Sequence, residues 1–166
     1  MAAKSNLQQT PAEFLRTITI IHLALAVGQI LFGLVVLLLN KRIIINVRYT
    51  NDPLVFAVPL LAVISFFLSN FLFNKLLSSG IKDDSTLKQK LLCYQTSLIV
   101  RLALLEGPSL FGIVAFFISG QLFFLLISAA LVVYFIYIRP TKANIEEVLN
   151  LNYEEKAAFS SSKLLS

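Results

Sequence analysis

Arg101 and Glu106 are the residues best placed to do chemistry in this chain, because both stand inside an otherwise apolar stretch, RLALLEGPSLFG at 101–112. A carboxyl within an apolar helix can carry a proton or hold a cation, and an ionisable group there reads as functional by default. Pro108 removes the hydrogen bond to the Leu104 carbonyl and predicts a bend near Glu106. A freed carbonyl beside a carboxylate is a place where a proton, a cation or water could be held. The spacing of Arg101 and Glu106 puts them ~140° apart on a straight helix, so they would pair only across such a bend. The competing reading is structural. In it, Arg101 snorkels to the membrane interface, and Glu106 pairs with His22, Asn70 or Tyr134 to lock the helices together.

Other chemistry is poorly served. His22 is the only histidine and Cys93 the only cysteine, so neither a metal site nor an intrachain disulfide is expected. Cys93 reads as a small buried side chain. No serine motif surrounds His22, and no glycine-rich phosphate loop is present. The expectation is a non-enzymatic protein with no cofactor and no catalytic residue.

The elements that must position these residues follow from composition. Hydrophobic residues make up 57% of the 166-residue chain and charged ones 14%, with a mean hydropathy of +0.81. That lies outside the range of ordinary soluble domains. Residues 17–40, 53–74 and 107–138 carry no formal charge. A bilayer core of ~30 Å needs about 20 apolar residues in a helix. The pattern predicts an all-α membrane protein with spans at 16–39, 53–77, 90–118 and 121–138, the last two separated by the polar break Ser119-Gly120-Gln121. The first apolar run exceeds the ~7–15 residues of a signal h-region and lacks a small-x-small cleavage site, so it is expected to remain as a span. Ten Lys and Arg fall on the side of the N-terminal segment, the 78–89 connection and the C-terminal segment, against Lys41, Arg42 and Arg48 on the other. The positive-inside rule then puts both termini in the cytoplasm. Topogenic lysines and lipid headgroups account for the net charge of +5 without a nucleic-acid partner.

The chain also matches itself. Shifted by 79 positions, TITIIHLALAVGQILFGLVVLLLN (17–40) lies over TSLIVRLALLEGPSLFGIVAFFIS (96–119) with ten of 24 positions identical. Gly28 pairs with Gly107 and Gly33 with Gly112, whereas His22 stands against Arg101 and Val27 against Glu106. The match predicts two tandem helical hairpins, 16–77 and 90–138, related by an axis along the membrane normal. The shared glycines are expected at helix contacts, where small residues allow close backbone approach.

Counting back from Asn40 and Ser119 at 1.5 Å per residue sets His22 and Arg101 ~3 Å inside the inner boundary and Glu106 ~10 Å inside it. Asn70 and Tyr134 return to similar depth, so Glu106, Arg101, His22, Asn70 and Tyr134 form a candidate polar layer. The outer connection 40–52 alternates too poorly for a strand, and its isoleucines suit the bilayer surface. After Arg139-Pro140, an Asn144-x-x-Glu147 cap predicts a short acidic helix with Ile145, Val148, Leu149 and Asn152 on one face. Its glutamates suit docking on the lysine-rich 78–89 side or on a partner, rather than on anionic lipid. Residues 160–166 are expected to be disordered.

The RLALLEGPSLFG stretch, with the RPT at 139–141, resembles an uncharacterised group of small four-helix inner-membrane proteins of Bacteroidetes-type bacteria. The resemblance implies a multi-pass location in a bacterial plasma membrane and no activity. EGPSLFG at 106–112 is also similar, at motif level, to the ion-carrying helix of rotary ATPase proteolipid c subunits. It departs from them in having no glycine in the second or fourth span and in placing Glu106 on the first helix of its hairpin. Two functions remain. One is a scaffold or accessory subunit acting with the lipid bilayer and with a second copy or a membrane-protein partner. The other is a small proton or cation conductor using Glu106.

Overall fold

The computed structural model of the chain describes residues 10–45, 53–82 and 85–160. These residues form α1 (Pro11–Leu39), α2 (Leu54–Gly80), α3 (Leu87–Ser119), α4 (Leu122–Tyr137), α5 (Lys142–Val148) and α6 (Tyr153–Ser160), with no strand among them. The fold is all-helical. α1, α2 and α3 are long and apolar enough to cross a membrane. α4 has only 16 residues, about 24 Å of helix. It counts as a span only together with α5, from which it is bent by 82°.

Two capping boxes set where the long helices begin. Thr10 accepts from the Glu13 N–H at 3.2 Å while the Glu13 carboxylate accepts from the Thr10 N–H at 2.9 Å, and Pro11 occupies the first helical position. Thr86 and Gln89 make the same exchange ahead of α3. These caps satisfy orphan backbone donors, so α1 and α3 start several residues before the apolar runs that predicted them.

α3 is the central helix, with α2 and α4 packed along it and α1 packed on α3 and α4. Its buried stripe, Leu91, Tyr94, Leu98, Leu102, Leu105, Ser109, Gly112 and Phe116, advances in steps of three or four residues, the spacing that keeps one helix face inward. α1 and α2 scarcely touch. The expected first hairpin at 16–77 is therefore not a packed pair, in contrast to α3 and α4. The start of the connection after α1 is held on the α3–α4 turn. Asn40 Nδ2 donates to the Phe116 carbonyl at 3.0 Å. The Ile44 N–H donates to the Gly120 carbonyl at 2.8 Å, and the Leu122 N–H to the Ile44 carbonyl at 3.0 Å. Gly120 has φ +73° with the Arg42 carbonyl lying where a side chain would start, so only glycine fits this turn. The rest of the outer connection, 46–52, lies outside the described residues.

The C-terminal segment is two short helices, not one. Thr141, not Asn144, caps α5, accepting from the Asn144 N–H at 3.3 Å. The chain breaks at Asn150, whose φ is +45°. The Asn-x-x-Glu signature recurs eight residues on and is used there. Asn152 accepts from the Glu155 N–H at 2.8 Å, and Glu155 accepts from the Asn152 N–H at 3.0 Å. Because of this break Val148 and Asn152 are exposed, while Ile145, Leu149, Leu151 and Phe159 join the buried cluster around Phe14, Leu91 and Tyr94. Ser160 closes α6, and the expected disorder beyond it, 161–166, lies outside the described residues.

Candidate functional site

Arg101 on α3, Asn70 on α2 and Tyr134 on α4 close a ring of hydrogen bonds. Arg101 Nη2 donates to Asn70 Oδ1 at 2.6 Å and to the Tyr134 hydroxyl at 2.8 Å. The Tyr134 hydroxyl donates its own proton to Asn70 Oδ1 at 2.8 Å. Asn70 is held for this task because its Nδ2 donates to the Phe66 carbonyl one turn back, at 2.8 Å, which leaves Oδ1 facing the arginine. The guanidinium lies over the Phe73 ring at 4.8 Å and near the Tyr134 ring at 5.9 Å. Phe66, Asn70 and Phe73 follow helical spacing, so one stripe of α2 presents the acceptor and the aromatic face together. Arg101 Nη2 is turned into this ring. Its charge is met by neutral oxygens and π faces instead of a carboxylate.

His22 is buried elsewhere in the layer. Its Nε2–H donates to the Phe135 carbonyl at 2.8 Å, and its ring stacks on the Phe135 ring at 5.0 Å. A carbonyl only accepts, so this bond assigns the proton to Nε2. α4 ends because Pro140 cannot supply an N–H and the Arg139 N–H turns to Ile136. His22 thus satisfies one of the orphan carbonyls at that helix end.

Glu106 is the exception. Half-buried on α3, it has neither hydrogen bond nor ion pair among the described residues, whose ion pairs are Lys90–Glu155 and Lys142–Glu146. The expected pairing with Arg101 or His22 is therefore corrected. α3 continues as helix through Pro108, so the ~140° between the two residues is kept. Asn70 and Tyr134 are taken by Arg101, and His22 by α4. The layer divides into a closed ring, a helix cap and one carboxylate left over.

The repeated glycines divide as well. At Gly112 an added Cβ would collide with Ser128 Oγ and lie 3.2 Å from the Phe124 carbonyl, and at Gly33 it would meet Ile113 at 3.6 Å. Nothing lies within 4 Å of such an atom at Gly28 or Gly107. The packing role expected for all four holds a close approach at Gly112, only an ordinary contact at Gly33, and none at Gly28 or Gly107, which face outward. Gln29, Ser109 and Ser128 are buried polar residues that the sequence reading did not single out. Ser128 donates to the Phe124 carbonyl at 3.1 Å, whereas Gln29 Oε1 and Ser109 Oγ have no partner. Their signal was available, as polar letters inside charge-free runs. Cys93 donates weakly to the Leu76 carbonyl at 3.5 Å, and its sulfur fills the space at Gly80.

Among the described residues no group of three or more His, Cys, Asp or Glu is placed to hold a metal. At the same end of the molecule Lys90 Nζ meets Glu155 Oε1 at 2.6 Å with both side chains largely covered, tying α6 to the start of α3. Burial alone would raise the Glu155 carboxyl. The hydrogen bonds from Lys90 and from the Asn152 N–H, with the Lys90 charge, outweigh it and hold the carboxyl below its ordinary range. No family model, no curated protein and no solved structure matches the chain.

Proposed function

We propose that the chain is a four-span protein of a bacterial inner membrane, with a tandem repeat and both termini cytoplasmic, acting as a non-enzymatic scaffold or accessory subunit. The observation that carries this reading is the state of Glu106. Every other member of the polar layer makes at least one side-chain hydrogen bond within the chain, and Glu106 alone makes none and is left half-covered in the middle of an apolar helix. A carboxyl facing hydrocarbon without a partner is costly, so a donor from a second copy or another membrane protein is expected to meet it. The extent of uncovered apolar surface agrees. Only 22%, 28% and 39% of the most apolar windows of α1, α2 and α3 are buried within the chain. The short α4 fits as a fourth span where the bilayer thins locally or flanking residues reach the interface. The test is association in mild detergent, wild type against Glu106→Ala. A larger assembly or a stoichiometric partner should be lost in the variant, with the melting midpoint of the isolated chain unchanged.

The conductor reading rests on the same carboxylate beside Pro108, which leaves the Leu104 carbonyl without its helical donor. It calls for a pH-dependent flux in liposomes that Glu106→Gln abolishes.

A further inference from the structure

A cavity of about 460 Å³ lies where α4 turns into α5, lined by Arg101, Tyr137, Ile138, Arg139, Thr141 and Asn144. Two of these residues are arginines and none is acidic. Neither guanidinium has a carboxylate partner among the described residues. Arg101 spends Nη2 on two neutral oxygens, while its Nε is buried with no partner. Arg139 is exposed, and its side chain makes no hydrogen bond among the described residues. The Thr141 hydroxyl accepts from the Asn144 N–H, which leaves its own proton to donate, and the Asn144 amide adds a further donor.

Two fixed positive charges with several N–H and O–H donors and no competing acid select an anion carrying several acceptor oxygens. Guanidinium forks match the oxygens of a phosphate group. The position narrows the source. Arg139 follows directly on the apolar α4, and Tyr137 and Ile138 form the cavity's wall, so the site stands at the level where the apolar helices end. In a bilayer that is the level of lipid headgroups, where basic pockets between spans bind anionic lipids and Tyr is enriched. We propose that this cavity is a phosphate-binding site, filled by the phosphate of a phospholipid headgroup held between Arg101 and Arg139. The headgroup would also supply the counter-charge that Arg101 lacks inside the protein. The lipid source rests on the membrane reading, but the phosphate chemistry does not.

The experiment uses the full chain in a neutral detergent, titrated separately with dioleoyl phosphatidylglycerol, dioleoylglycerol and inorganic phosphate. Bound ligand is counted by native mass spectrometry and the melting midpoint is followed. Arg139→Gln is the test variant, since Arg139 is exposed and its midpoint without lipid should equal wild type. Arg16→Gln removes another exposed arginine at the same end and outside the cavity. The expected result is one tightly bound phosphatidylglycerol, weakened about tenfold in Arg139→Gln and less than about twofold in Arg16→Gln, with dioleoylglycerol at least about tenfold weaker. Inorganic phosphate that displaces the lipid at comparable concentration would uphold the phosphate site and move its source to solution. Equal binding of dioleoylglycerol, or equal losses in the two arginine variants, would overturn the proposal.

Discussion

A guanidinium inside an apolar bundle is tolerable only when its hydrogen-bonding capacity is met, because an unpaired buried charge is strongly destabilising. Arg101 meets part of that demand through Nη2, whose two partners are neutral and bonded to each other, so the ring should behave as a unit. Tyr134→Phe should lower stability in detergent by about 1–2 kcal/mol, and Asn70→Ala by more, since the latter removes the acceptor shared by the other two. The double variant should lose less than the sum of the two, as expected for groups in one network, measured by denaturant or thermal midpoints. Strict additivity would show that the three residues act separately. The members of this layer were legible in the sequence, because a polar letter in a charge-free run and a count of depth single out Arg101, Asn70, Tyr134, His22 and Glu106. Their pairing was not. The spans are apolar on nearly every side, so the periodicity that normally tells which face is inward is weak, and the rotation of one helix against the next stays hidden. Sequence therefore offers Glu106 partners that belong to Arg101 and to α4.

Helices repeat the same lesson one level up. Segments 17–40 and 96–119 share their glycines in the sequence, but such a match does not say which positions face a neighbour. Gly112→Ala should destabilise by about 1–3 kcal/mol, because the new methyl meets Ser128 and the Phe124 backbone and forces them apart. Gly28→Ala and Gly107→Ala should be neutral or stabilise by up to about 1 kcal/mol, as alanine is the better helix former where nothing is touched. Thermal midpoints of the three variants decide this, and equal losses would contradict the assigned faces. The helix starts were readable at Thr10 and Thr86, where T-x-x-E and T-x-x-Q stand ahead of each apolar run. They are easily passed over when apolar length alone sets the span. Docking of α6 adds a pH dependence. The Glu155 carboxyl is held below its ordinary value in the folded chain, so its contribution is complete above the ordinary carboxylate range and is lost as pH falls through the lowered value. Hydrogen-exchange protection of 153–160, corrected for intrinsic rates, should hold steady from neutral pH down to about pH 5 and fall below about pH 4. Lys90→Ala should reduce it at every pH.

Among the described residues three to four apolar helices are long enough to cross a membrane, and composition had pointed to such helices. The arrangement around α3 was not plain, because chain order suggests α1 beside α2, whereas α2 packs on α3 and residues 40 and 44 bond to the α3–α4 turn. The proposed orientation predicts cytoplasmic signals from reporter fusions at Lys82 and Ser166 and the opposite signal from a fusion within 46–50. A cytoplasmic signal from the latter would remove the four-span topology. The central claim is that Glu106 is the one member of the polar layer with no hydrogen-bond partner among the described residues, and that another protein surface meets it. The most direct measurement is the mass of the complex in mild detergent for wild type, Glu106→Gln and Glu106→Ala, with melting midpoints taken alongside. The account predicts an assembly larger than one chain for wild type, retained in Glu106→Gln because an amide still hydrogen-bonds, and reduced to single chains in Glu106→Ala at an unchanged midpoint. A wild-type protein that runs as a single chain with no partner, or an Ala variant that assembles as wild type does, would contradict it.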